Sequence, residues 1–167
     1  RLNRKSGTFE HFMHDPNNPN SISSNSIISI CEDSKGVLWL GTYNGGLAKL
    51  EKGEFTSFKP IKDDPYSISN LHIWDVFEDS KGNLWIGTLN SGLQLFDRKR
   101  NRFYSYVTQE NNSESLVNLS ILRMFEDSKH NLYITTYGGV SVLNLNEIDF
   151  SEEPPDLHFK NLYYKPD

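Results

Sequence analysis

Asp33-Ser34-Lys35-Gly36 returns as Asp79-Ser80-Lys81-Gly82 and again as Asp127-Ser128-Lys129-His130, 46 and then 48 residues further on. The flanking text returns with it. Leu38-Trp39-Leu40-Gly41-Thr42 becomes Leu84-Trp85-Ile86-Gly87-Thr88 and then Leu132-Tyr133-Ile134-Thr135-Thr136, and Gly45-Gly46-Leu47 becomes Ser91-Gly92-Leu93 and Gly138-Gly139-Val140. A fixed period of this size, made of short apolar runs and tight turns, describes units that cannot bury their apolar faces alone and must stack on one another.

Within one unit, Ile27-Ile28-Ser29-Ile30-Cys31 is short, β-branched and bounded by turn residues, which predicts an inner strand buried on both faces. The Asp-Ser-Lys-Gly turn follows, with the Asp bonding its own backbone and the Gly taking a left-handed conformation. His130 replaces that Gly in the third unit, so the turn there is expected to be strained or of another type. The Trp strand comes next, then a third strand from Gly46 to Leu50 and a fourth at Phe55-Thr56-Ser57-Phe58, matched by Phe103-Tyr104-Ser105-Tyr106. Four antiparallel strands in about 46 residues make one propeller blade.

The expected fold is therefore an all-β propeller segment of about three four-stranded blades in an incomplete ring. Its blades occupy residues 1–147: a fourth strand within 1–14, blades at 25–58 and 71–106, and a partial blade at 119–147. Residues 148–167 break the pattern at Glu152-Glu153-Pro154-Pro155 and are expected to be a linker leading into a separate domain. Propellers need about four to eight blades, so the chain is expected to be part of a longer one or to complete its ring with a second copy.

Net charge −5 argues against a basic, phosphate-tracking surface and hence against nucleic-acid binding. No apolar run approaches the roughly 20 residues of a membrane helix, and the expectation is a soluble segment that meets a membrane only through a parent protein. Cys31, the single cysteine, aligns with Phe77 and Phe125 and is expected to fill core. His11, His14, His72, His130 and His158 fall at different repeat positions without ligand spacing, so no metal or cofactor is expected. Glu32-Asp33, Glu78-Asp79 and Glu126-Asp127 recur in every unit, which suits turns rather than a catalytic pair.

Together, Asn25-Ser26-Ile27, Glu32-Asp33-Ser34-Lys35-Gly36, Leu38-Trp39-Leu40-Gly41-Thr42 and Gly45-Gly46-Leu47 resemble the two-component regulator propeller repeat. The third unit departs from that pattern at His130, Tyr133 and Thr135. The resemblance implies the periplasmic sensor region of a hybrid histidine kinase, with a small β-sandwich domain beginning near 154–164 and a homodimeric parent receptor. It further implies an oligosaccharide or other small polar ligand, no catalysis by this segment, and transcriptional control through the parent.

Trp39, Trp85, Tyr133, Gly36, Gly41, Gly82, Gly87, Thr42, Thr88 and Thr136 recur, which marks them as scaffold. The aromatics are expected to pack between blades, and the threonines to stitch blades together through backbone bonds. Ligand contacts are expected where the copies differ. One set lies on the loops of a single propeller face: Tyr43, Asn44, His72, Asn90 and Tyr137. Another lies on the inner strands, where Trp74 offers a stacking surface and Asp75 and Arg123 either meet ligand or pair with each other across blades. Two other functions stay open: a structural or protein-interaction propeller supporting dimerisation, and a propeller lyase or hydrolase built on His72, Asp75 and Arg123.

Overall fold

The computed structural model describes residues 2–151 and 154–162. Among these, the only helical element is a 3-10 turn at Leu145–Glu147; the rest of the regular structure is fourteen β-strands. The chain opens on a hairpin of β1 (Leu2–Asn3) and β2 (Thr8–Phe9). Blade 1 follows with β3 (Ile27–Glu32), β4 (Leu38–Thr42), β5 (Leu47–Glu51) and β6 (Glu54–Phe58). Blade 2 holds β7 (Ile73–Glu78), β8 (Leu84–Thr88), β9 (Leu93–Asp97) and β10 (Arg102–Tyr106). Blade 3 holds β11 (Ile121–Glu126), β12 (Asn131–Thr136), β13 (Gly139–Asn144) and β14 (Lys160–Leu162). Each blade is a four-stranded antiparallel meander paired in chain order.

Two boundaries differ from the sequence expectation. Residues 1–14 were expected to give a single fourth strand. Instead Leu2 pairs with Phe9 as Phe96 pairs with Phe103, so the chain enters as the end of a third strand turning into a fourth. At the other end, β14 pairs with β13 and completes blade 3, so residues 148–162 are not a bare linker. Phe159 is buried at the position of Phe55 and Phe103, and Phe150 packs edge-on against Trp85, 6.4 Å between ring centroids. The spacing Phe159-x-x-Leu162 repeats Phe55-x-x-Phe58 and Phe103-x-x-Tyr106, and the burial of that first aromatic pulls the segment onto the blade. The expected start of a sandwich domain falls partly on residues 152–153 and 163–167, outside the described residues.

The turns carry the repeat's chemistry. The Asp33 carboxylate accepts from the amides of Lys35 and Val37 and from the Trp39 indole N–H at 2.8 Å; Asp79 does the same for Lys81, Asn83 and Trp85. One buried carboxylate thus closes the turn and fixes the Trp rotamer of the next strand. Gly36 and Gly82 are left-handed at φ +75° and +83°, and His130 takes the same conformation at φ +63°. His130 N–H donates to the Asp127 carbonyl as Gly36 N–H does to Asp33, so the third turn is of the same type.

The core lies between blades. Trp39 packs with Ile68, Ile73 and Val76 of blade 2, and Trp85 with Leu116, Ile121 and Met124 of blade 3. The threonines act otherwise than expected: Thr42, Thr88 and Thr136 donate to Gly46, Gly92 and Gly139 carbonyls and close hairpins of their own blades. Stitching between blades falls to Gly46 N–H, which donates to Leu71, and Gly92 N–H, which donates to Leu119. Inner strands are covered on both sides only in the middle of the arc. Ile30 is 65% exposed whereas the matching Val76 and Met124 are 4% and 7% exposed.

Candidate functional site

The loops entering the inner strands and the turns joining second to third strands meet on one face. Tyr43 N–H donates to Ser26 and Leu89 N–H to His72, so each inner-strand loop is tied to the turn of its own blade. Two turns pass through left-handed asparagines, Asn44 at φ +67° and Asn90 at φ +65°, a conformation that Asn adopts more readily than other non-Gly residues.

Tyr43 and His72 come together across the junction of blades 1 and 2. Their rings stack with centroids 4.4 Å apart and planes inclined 26°. The Asn44 amide donates to His72 Nδ1 at 3.1 Å, which makes Nδ1 the acceptor of a neutral ring and places its proton on Nε2. The His72 backbone is held in turn by the Asn70 side-chain oxygen, while the Asn70 amide group donates to Leu89 O and Ser91 Oγ. Tyr43 is exposed at 48%, so the pair presents an aromatic face backed by an anchored imidazole. Asn90 sits one blade further on, its Oδ1 accepting from Ser120 Oγ at 2.5 Å. Tyr137 repeats the Tyr43 position in blade 3 and is exposed, with Leu89 between them.

The inner-strand residues form a second group. Trp74, like Ile28 and Leu122, occupies a β-bulge of the first ladder, where the register shifts between Ile73 and Asp75. Asp75 and Arg123 pair across blades: Arg123 Nη1 lies 3.1 Å from Asp75 Oδ1, and Asp75 Oδ2 accepts from the Met124 amide at 2.7 Å. Burial pushes the Asp75 carboxyl above its ordinary range, against the pull of these donors. Trp74 Nε1 and Ser29 Oγ are buried without a partner among the described residues. Asp75 is therefore committed to the junction, and Trp74 supplies an unused donor beside it.

Sequence reasoning missed Asn70 and Ser120, which hold His72 and Asn90: Asn70 shares its position with Asn118 but with Ser24 in the first unit, and Ser120 stands where Ser26 and His72 stand, so neither position reads as one fixed role. It also missed an ionic knot on the opposite face. Arg98 donates to Asp33 at 2.5 Å and Glu78 at 2.7 Å, joining blade 2 to blade 1. Burial opposes ionisation of Asp33, but Arg98, Trp39 and the turn amides outweigh it and hold its pKa at about 2. A concavity of about 610 Å³ on that face includes Lys81, Arg98 and Arg100, of which Arg98 is committed to the knot and Arg100 pairs with Asp97. Cys31 is half-buried, and burial raises its thiol pKa. No cluster of metal-ligating side chains occurs among the described residues.

Residues 21–44 and 67–90 match the family model of the two component regulator propeller. These two stretches are two-component regulator propeller repeats. The extracellular domain of the hybrid two-component system BT3049 from B. thetaiotaomicron superposes with a TM-score of 0.66 at 23% identity over 73% of this chain and 17% of its own. That of BT4673 from the same organism gives 0.60 at 26% over 74% of this chain and 17% of its own. A streptogramin B lyase superposes at 0.58 with 14% identity over 93% of this chain and 45% of its own, a likeness of fold alone. The chain thus spans about a sixth of the hybrid-system domains it resembles. No curated protein matches. No helix among the described residues is long and apolar enough to cross a membrane.

Proposed function

We propose that this propeller segment belongs to the periplasmic sensor of a hybrid two-component histidine kinase and contributes an oligosaccharide-binding face, without catalysing a reaction. The observation that carries the ligand face is the Tyr43–His72 stack: an exposed aromatic surface with a neutral imidazole N–H beside it suits the apolar face and hydroxyl rim of a neutral sugar. Tyr137 extends the same face two blades away, and Asn90 adds a fixed amide between them. The repeat family and the hybrid-system domains of similar fold support the sensor assignment.

In the parent, bound sugar would bias one arrangement of a receptor dimer, and its differential affinity for the two arrangements sets the size of the response. Titration of the chain with neutral plant and host oligosaccharides, followed through the His72 ring resonances, tests the binding step. Saturable shifts confined to this face support it, and unchanged His72 resonances across the panel count against it.

A second function, blades that support dimerisation without touching ligand, is favoured by the commitment of Asp75 and Arg123 to each other. A hydrolase or lyase built on His72, Asp75 and Arg123 draws less support, because Asp75 is bound to Arg123 and the Met124 amide at the junction and His72 Nδ1 accepts from the Asn44 amide.

A further inference from the structure

On the face opposite Tyr43 and His72 the copies differ sharply in charge. The turn joining third to fourth strand is Glu51-Lys52-Gly53-Glu54 in blade 1 and Asp97-Arg98-Lys99-Arg100-Asn101-Arg102 in blade 2, one base between two acids against four bases and one acid. This basic hairpin walls the concavity of about 610 Å³, a volume that holds a small ligand. The Asp-Ser-Lys turns of blades 1 and 2 bring Lys35 and Lys81 to it, and the excursion that leads to β14 brings Phe150 and Pro155.

The positive charge of this hollow is not balanced by the groups around it. Arg98 is paired with Asp33 and Glu78, and Arg100 with Asp97. Lys35, Lys81 and Lys99 have no carboxylate partner among the described residues. Lys81 Nζ spends one donor on the Leu145 carbonyl at 2.6 Å, a neutral acceptor that leaves its charge standing. Three uncompensated ammonium groups thus line one hollow of a chain whose net charge is −5, and a cleft of one sign gathers ligands of the other. The backbone of the walls is already spent: the Lys35 and Lys81 amides donate to Asp33 and Asp79, the Gly82 amide to the Asp79 carbonyl, and the Lys99 and Arg100 amides to Asp97. These turns leave no nest of amides to cradle a phosphate. The ammonium groups stand on three separate turns, which suits a ligand whose negative charges are spaced along it and met one by one.

We propose that this concavity is a second binding site, separate from the Tyr43–His72 face, for a small polycarboxylate held by Lys35, Lys81 and Lys99. Phe150 and Pro155 give its carbon skeleton an apolar wall. A short oligouronate and an open-chain tricarboxylic acid share this chemistry, and the titration below separates them.

Calorimetric titration of the chain with trigalacturonate, citrate and inorganic phosphate, in about 0.15 M salt so that exposed charges are screened, tests this. At least one of the two carboxylates is expected to give saturable heat, at least about tenfold tighter than phosphate. Tighter trigalacturonate assigns the site to an acidic sugar, and tighter citrate to an organic acid. Lys35→Gln and Lys99→Gln should each weaken binding at least about fivefold. Neither lysine side chain makes a hydrogen bond among the described residues, so both variants should keep the parent's melting temperature. Lys52→Gln, on the matching turn of blade 1 and outside the concavity, should bind as the parent does. A double variant, Glu152→Gln with Glu153→Gln, removes the carboxylates that stand in sequence between the lining residues Ser151 and Pro155. Binding that appears only in that variant overturns the proposal. So does the absence of saturable heat with both carboxylates, phosphate that binds as tightly as either, or a loss in Lys52→Gln equal to those in Lys35→Gln and Lys99→Gln.

Discussion

Ser80 and Glu126 lie on different blades, and the Ser80 amide and hydroxyl both donate to the Glu126 carboxylate, at 2.7 and 2.5 Å. Ser34 and Glu78 repeat the clasp one blade earlier, with amide and hydroxyl distances of 2.5 and 3.3 Å. The paired Glu-Asp of the motif thus divides its labour: the Asp builds the turn of its own blade and the Glu grips the turn of the blade before.

Glu126→Ala and Glu78→Ala are each expected to cost about 1–3 kcal/mol, the usual penalty for stripping a charged acceptor from its donors. Glu32→Ala, which has no partner among the described residues, should leave stability nearly unchanged. Urea denaturation of the three variants checks the contrast, and equal losses would show that the clasp adds nothing.

Gly87→Ala places a methyl 2.6 Å from Ile121 Cγ2 and should destabilise by roughly 1–3 kcal/mol through overpacking. The companion change Ile121→Val leaves Cγ2 in place and should not rescue it, whereas Ile121→Ala in the same background should recover part of the loss. A double-mutant cycle by thermal unfolding measures that coupling.

Trp85→Ala is expected to cost about 3–5 kcal/mol, since the ring is fully buried between blades and its N–H is held by Asp79. Trp74→Ala should cost clearly less, because Trp74 is half-buried and its N–H makes no bond among the described residues. Comparable losses at both positions would place Trp74 in the core.

Asp33 has a folded pKa of about 2 against 3.8 for the free group. A depressed folded pKa means that its stabilisation is complete above pH 4 and is lost as pH falls from 4 toward 2, by an amount on the order of 2 kcal/mol. In Asp33→Asn that decline should be shallower, while the whole curve lies lower because Arg98 loses one of its two carboxylate partners. Urea midpoints recorded between pH 2 and 6 give both curves; parallel declines would show that other carboxylates govern acid unfolding.

The propeller was legible in the sequence because three copies of one turn, with a Trp (Tyr in the third) six residues after its Asp, state the hydrogen bond that builds each blade. The last strand was not read, although Phe159 stands where Phe55 and Phe103 stand, because β14 follows β13 after an irregular stretch instead of a tight turn. The misplaced role of Thr42 has a similar origin. Repetition marks a residue as scaffold, but whether its hydroxyl reaches its own hairpin or the neighbouring blade depends on turn geometry. For the site, the topological argument placed Tyr43, Asn44, His72 and Asn90 on one face, and the structure brings the first three into contact. The Asp75–Arg123 pair was one of two readings, and charge complementarity across the junction selected it.

Calorimetric titration of the chain with a neutral oligosaccharide that shifts the His72 resonances, repeated with Tyr43→Ala and His72→Ala, tests the ligand face most directly. Both side chains are on the surface side of the junction, so the variants should keep the parent's melting temperature to within a few degrees. The expected result is saturable heat for the parent chain and a loss of at least about tenfold in affinity for each variant. Saturable heat of unchanged affinity in both variants, or no heat with any sugar, would contradict a binding face at Tyr43 and His72.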